Sequence, residues 1–213
     1  MIRRIAGLIG LCVMTAARLN GQISVSAVAG LVSLNWSFST GCQDCQHALG
    51  GLAAGGAFNF PMGRRLSFAP ELLYVRKGSG LDYPADVRIE YRVGYVEVPL
   101  LLRYVARTSG EVRPYIIAGP EFGITATCSA KAINSPANGS TVFVVPCTTG
   151  EAGISEDQPD PLDFGVIVGA GVTFHRLSAS VRYDRGLTDI YSRYTGSGTV
   201  HNTAWLVLIA ARL

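Results

Sequence analysis

Residues 163–174 read DFGVIVGAGVTF, and the alternation along this stretch decides the fold class. The even positions carry Phe, Val, Val, Ala, Val and Phe, whereas the odd positions carry Asp, Ile, Thr and three glycines. A period of two over so many residues is typical of a β-strand with one apolar face. The small opposite face favours a narrow interior, because little room is needed behind it.

Seven other segments alternate in the same way. They lie at 28–36, 50–61, 65–77, 91–105, 113–126, 177–189 and 201–213. Short connections near 62–65, 107–112 and 175–176 alternate with longer ones near 39–49, 78–88, 127–161 and 190–200. An even number of strands with this alternation of turns and loops predicts an all-β fold, an eight-stranded antiparallel up-and-down transmembrane β-barrel. On the first strand, Val28, Val32, Leu34 and Trp36 are assigned to the apolar face.

The composition agrees with a membrane barrel. Of the 213 residues, 48% are hydrophobic and 15% are charged, and the mean hydropathy is +0.29. After the N-terminus no run of 18 apolar residues occurs, so no spanning helix is predicted. The net charge of +3 is too small to indicate nucleic-acid binding, and no basic stripe is visible.

Residues 1–21 are predicted to be a signal peptide, which leaves 22–213 as the barrel domain. Arg3 and Arg4 form a positively charged start, residues 5–17 are apolar, and small or polar residues follow up to Gly21. We therefore expect export through the inner membrane and an outer-membrane location.

Seven charged residues fall on the same alternate strand positions, or parity, as the small and polar residues. They are Glu71, Glu97, Arg103, Glu121, Arg182, Asp184 and Arg212. An arginine or lysine facing lipid at mid-membrane costs about 2–4 kcal/mol, so these side chains are predicted to point into the lumen. Opposite charges in so confined a space should pair and plug it, with Tyr95 and Tyr115 adding bulk. The change Glu97→Ala is then expected to leave a buried arginine unpaired.

Several segments resemble the PorT-like outer-membrane β-barrel family, which is abundant in Bacteroidetes and related bacteria. The likeness rests on RLSFAPELLYVRKG (Arg65–Gly78), GYVEVPLLLRY (Gly94–Tyr104), RPYIIAGPEFGI (Arg113–Ile124), DFGVIVGAGVT (Asp163–Thr173) and LSASVRYDRGLTD (Leu177–Asp189). It covers nearly the whole mature chain and implies an eight-stranded barrel in the outer membrane. It implies no activity.

Four cysteines, Cys42, Cys45, Cys128 and Cys147, lie in two predicted outer loops. In an oxidising compartment, disulfides that staple the loops are favoured, with three pairings open. Closing the loop between Cys128 and Cys147 would contribute about 3 kcal/mol. A redox pair at Cys42 and Cys45, or a four-thiolate zinc site, are the alternatives.

No catalytic residue, cofactor site or metal site is predicted. The histidines His47, His175 and His201 lack metal-ligand spacing, although His201 near Asp189 resembles part of a catalytic dyad. Gly169 and Gly171 lack the third glycine of a nucleotide fingerprint.

Four functional hypotheses follow. The first is a non-enzymatic, monomeric barrel with a structural or interaction role, surrounded by outer-membrane lipid and inserted by the barrel assembly machinery. Its partner, a protein of unknown identity, would meet the loops or the periplasmic turns. The others are a narrow pore or secretion accessory, a membrane-embedded enzyme, and a soluble lipocalin-like barrel for an apolar ligand. A lipocalin would place its large apolar side chains inside and its charges outside.

Overall fold

The structure of the chain is a computed structural model. The structure describes residues 22–38, 46–83, 87–134, 141–146, 160–190 and 199–213. The predicted signal peptide lies outside these ranges. No helix within them has the length and apolar character needed to cross a membrane.

The described residues form nine antiparallel strands. They are β1 (Ser24–Phe38), β2 (Gln46–Pro61), β3 (Leu66–Tyr83), β4 (Val87–Val105), β5 (Val112–Asn134), β6 (Thr141–Pro146), β7 (Leu162–Phe174), β8 (Leu177–Gly186) and β9 (Val200–Arg212). The sheet runs β4-β3-β2-β1-β9-β8-β7-β5-β6, and β4 also pairs with β5. Hydrogen-bonded pairing therefore passes through eight strands and returns to its start. The expected all-β antiparallel architecture is confirmed.

Strand β6, which lies outside the ring of eight, was not predicted. It pairs with residues 129–134 of β5, inside the stretch assigned to a loop over 127–161. Its sequence from Thr141 to Val145 consists of β-branched and aromatic residues, which favour a strand. The surrounding Asn, Ser, Pro and Gly residues hid this short signal.

The loop predicted at 78–88 is also mostly strand. The β3–β4 ladder continues to the pair Tyr83–Val87. Leu81 and Ile89 in this extension pack against the buried core, which explains why the ladder does not stop at the predicted boundary.

Large apolar side chains cover the outside of the ring on most strands, as the alternation predicts. On β7, for example, Val168 is 52% exposed and its neighbour Ile167 only 2%. Aromatic pairs lie towards both ends of this surface. Phe60 and Phe68 meet near the short turns, with ring centroids 6.4 Å apart, and Tyr183 and Trp205 meet at 5.1 Å nearer the opposite ends of their strands.

On the first strand, the face predicted to point outward points into the ring instead, so that prediction was wrong. Val28, Val32, Leu34 and Trp36 are buried inside the ring, whereas Leu31 is 64% exposed. Both parities of this strand carry apolar residues, so alternation alone does not tell inside from outside. Inside, these side chains join an apolar cluster with β2, β3, β4 and β9.

Candidate functional site

A buried ammonium group joins four strands across the lumen. Lys77 of β3 places its Nζ 2.7 Å from Glu97 Oε1 of β4, 3.5 Å from Glu121 Oε1 of β5 and 2.7 Å from Asp184 Oδ2 of β8. All four side chains are at most 3% exposed. We call this group the Lys77 cluster.

The Lys77 cluster links strands from different parts of the ring. Ligand oxygens of Glu97, Glu121 and Asp184 lie within 4.8 Å of one another, a spacing that could hold a metal ion. Lys77 already supplies a cation to these three carboxylates. Buried charges are tolerated only when they are paired, so the geometry is that of a structural crosslink.

A polar chain lies beside the Lys77 cluster. Asn202 donates from Nδ2 to Asp163 Oδ2 at 2.6 Å, and Thr188 donates to Asp163 Oδ1 at 2.7 Å. Asn202 Nδ2 also donates to the Tyr95 hydroxyl at 3.4 Å. Tyr95 is 1% exposed and therefore fills the lumen.

A second ion pair lies nearer the short turns. Arg182 Nη1 and Nη2 donate to the two carboxylate oxygens of Glu71 at 2.6 and 3.0 Å. Arg182 Nε also donates to Ser180 Oγ at 3.3 Å. Two parallel bonds of this kind fix both side chains and are stronger than a single neutral hydrogen bond.

Apolar side chains fill much of the remaining lumen. Leu101, Ile117 and Ile167 form a buried cluster with Ala69 and Tyr115. The lumen is therefore more apolar than the sequence-based prediction, which filled it with charged and small residues. The missed contribution comes from β1 and from inward apolar residues of other strands, such as Leu73 and Val75 of β3 and Leu206 and Leu208 of β9.

The seven charged residues expected in one network lie in four different environments. Glu97, Glu121 and Asp184 surround Lys77, and Glu71 pairs with Arg182. Arg103 stacks on the Tyr115 ring, 3.8 Å from its centroid, and Arg212 is exposed. No ion pair is formed by either of these two arginines within the described part of the chain.

Lys77, Asp163 and Asn202 were missed by the sequence analysis. Lys77 shares the parity of Glu71 on β3, and this signal could have found it. Lys77 is the last residue of the strand predicted at 65–77, and it was left out of the charges assigned to the interior.

The described histidines have separate contacts. His201 Nδ1 lies 2.8 Å from the Thr188 carbonyl oxygen, whereas Asp189 accepts a hydrogen bond from the Val200 amide at 3.0 Å. His47 Nδ1 lies 3.3 Å from Asp82 Oδ2, at a partly exposed site. His201 and Asp189 thus each have another partner in the described structure.

Oxidised cysteines remain a prediction. Cys128 lies on β5 opposite Val93, and Cys42, Cys45 and Cys147 fall outside the described residues. We expect mass spectrometry of unreduced mature protein to find no alkylated thiol at these four positions, because an exported protein meets an oxidising compartment. Reduced protein, the control, should be labelled at all four. Four labelled thiols without reductant would contradict the prediction, and bound zinc would support the thiolate site instead.

Comparison with known proteins gives one family match. A model described as "Outer membrane protein beta-barrel domain" matches residues 20–192. No curated protein matches the sequence.

Solved structures of bacterial surface proteins resemble the chain at low identity. OprG of Pseudomonas aeruginosa has a TM-score of 0.47 and 9% identity, with 90% of this chain and 95% of OprG covered. Neisserial surface protein A has a TM-score of 0.45 and 12% identity, with 91% of this chain and 100% of that protein covered. Ail, the attachment invasion locus protein of Yersinia pestis, has a TM-score of 0.41 and 13% identity, with 89% of this chain and 99% of Ail covered.

Proposed function

The chain belongs to the family of outer membrane protein β-barrel domains, and from that premise we propose that it is an eight-stranded up-and-down barrel spanning the bacterial outer membrane. Its role is structural or interactive and non-enzymatic. The PorT-like affiliation, the signal peptide at 1–21 and a monomeric state belong to the same proposal.

The outward apolar surface is the observation that carries this proposal. Side chains such as Leu72, Leu102, Ile116, Val168 and Val207 are all at least 50% exposed in the isolated chain. Contiguous apolar surface of this kind is rare on soluble monomers and marks a membrane or protein contact. The closed pairing also leaves no free edge among the eight ring strands, as a bilayer demands.

The filled lumen supports a closed barrel over an open pore. The Lys77 cluster, the Glu71–Arg182 pair and the buried apolar side chains between the strands occupy the interior at several levels. A barrel of eight strands has room for side chains and little else. Contacts with a partner would therefore be made by the loops or the periplasmic turns.

Cell fractionation tests the proposed location. The mature protein should appear with the outer membrane, and an unboiled detergent sample should migrate differently on a gel from a boiled one. A soluble periplasmic pool, or identical migration before and after boiling, would contradict the membrane barrel.

A single outward substitution tests the orientation of the strands. Val168 is the middle residue of β7, so Val168→Arg should destabilise the barrel in lipid vesicles by about 2–4 kcal/mol. Leu162→Arg, at the end of the same strand and 65% exposed, should cost about 1 kcal/mol or less. Unfolding by urea, followed by gel mobility, measures both. Equal costs at the two positions would place β7 outside a bilayer.

A further inference from the structure

The short-turn end of the lumen contains a cavity of about 260 Å³ with a strongly basic lining. Six arginines line it: Arg64, Arg103, Arg113, Arg176, Arg182 and Arg212. Glu71 is the one acidic residue in the lining, and it is already held by two hydrogen bonds from Arg182. Five of the arginines are thus left without a carboxylate inside the cavity.

Arg103 is the best-positioned of these five. Its guanidinium lies 3.8 Å from the centroid of the Tyr115 ring, and its Nη2 donates to Thr173 Oγ1 at 2.5 Å. Gly171 leaves space for this stack, since a Cβ there would stand 2.6 Å from the Tyr115 ring. The Arg103 Nε is buried and has no hydrogen-bond partner in the described structure. A fixed guanidinium with an unfilled donor is well suited to receive an oxyanion.

The mouth of the cavity adds exposed positive charge. Arg64, Arg113, Arg176 and Arg212 are exposed, and no carboxylate of the described residues lies within 4.0 Å of them. A concave site lined by one sign of charge concentrates ions of the opposite sign.

We propose that this cavity binds a small, multiply charged phosphate-class anion. Guanidinium groups match phosphate oxygens in pairs, so Arg103 would grip the anion at the inner wall and Arg113 at the mouth. The volume lies near the lower limit for small-molecule pockets, which favours a compact anion over an extended chain. A free phosphate compound and a phospholipid headgroup share this chemistry.

Calorimetry with pyrophosphate tests the site on the full mature chain, folded in a neutral detergent at low salt. We expect binding that weakens on the order of ten-fold in Arg103→Gln and in Arg113→Gln, since each loses a charge-assisted contact. Arg65→Gln is the matched control. Arg65 lies at the same end, beside Arg64, but contacts the Tyr104 hydroxyl at 3.3 Å and does not line the cavity. The affinity of Arg65→Gln for pyrophosphate should stay within about two-fold of that of the unmodified protein.

The heat-dependent gel shift checks that each variant is folded, and Arg113→Gln decides the matter should Arg103→Gln fail to fold. Native mass spectrometry with phosphatidic acid, against phosphatidylcholine, provides the second arm. Selective retention of phosphatidic acid, lost in Arg113→Gln, would identify a lipid headgroup, whereas binding of pyrophosphate alone would identify a soluble anion. Binding of neither, or an equal loss in Arg65→Gln, would overturn the proposal. The binding assay runs in detergent, so a failure to bind the anion would not bear on the outer-membrane location, which cell fractionation tests separately.

Discussion

Replacing Lys77 with methionine should destabilise the barrel by about 3–5 kcal/mol. Among the described residues, Lys77 is the one cation at hydrogen-bonding distance from Glu97 and Asp184, and Glu121 lies 3.5 Å from it. Three buried carboxylates would then be left without their ammonium group, and breaking a buried ion pair from one side costs this much. Urea unfolding in lipid vesicles, followed by the gel shift, gives the free energy of unfolding.

Lys131→Met is the matched control for this prediction. Lys131 is 38% exposed and lies 4.0 Å from Glu90, so the same substitution should change the free energy of unfolding by about 0.5 kcal/mol or less. Adding Glu97→Gln to Lys77→Met should recover part of the loss. If Lys77→Met and Lys131→Met cost the same, the Lys77 cluster does not stabilise the lumen.

The substitution Glu97→Ala should cost less than Lys77→Met. The sequence-based expectation that it leaves a buried arginine unpaired was wrong, because the partner of Glu97 is Lys77. Asp184, at 2.7 Å, and Glu121, at 3.5 Å, keep that ammonium paired. The variant should therefore remain folded and closed.

Replacing Glu71 with leucine should also cost about 3–5 kcal/mol. Arg182 would lose both of its bonds to the carboxylate while staying buried. The arginines of the neighbouring cavity would add repulsion that no remaining carboxylate in its lining offsets. The same unfolding measurement in vesicles applies.

Two further variants make the Glu71 prediction specific. In the double variant Glu71→Leu with Arg182→Met, most of the lost stability should return, because a packed apolar pair replaces a buried ion pair with little cost. Glu111→Leu, at a side chain 73% exposed, should change stability by about 0.5 kcal/mol or less. A double variant as unstable as the sum of the two single variants would show that the pair itself is not the cause.

The strand alternation was readable from the sequence because each outward face is continuous. On β7 the period of two is clear, because the inward positions carry Asp163 and three glycines while the outward ones carry residues such as Val168. On β1 both faces carry apolar residues, and which one is inside depends on neighbours that are distant in the sequence. Leu73 and Leu208, which pack in the same buried cluster as Val32, belong to β3 and β9.

The composition of the charged site was only partly predictable. Parity assigns Glu97 and Asp184 to the inside, but the strands that carry them are not neighbours in the ring. Which charge meets which across the lumen depends on strand tilt and register, and these are tertiary properties. The predicted single network is consequently two separate groups, with Arg212 exposed beside the short turns.

Conductance across planar bilayers tests the closed membrane barrel most directly. Insertion of folded protein should be shown first, by the gel shift of protein recovered from the lipid vesicles that deliver it to the bilayer. The interior is occupied by Tyr95, the Lys77 cluster and the Leu101–Ile117–Ile167 layer, so no continuous water path is expected. We predict no sustained current above that of the bare bilayer. Stable, stepwise openings from the unmodified, inserted protein would contradict the account.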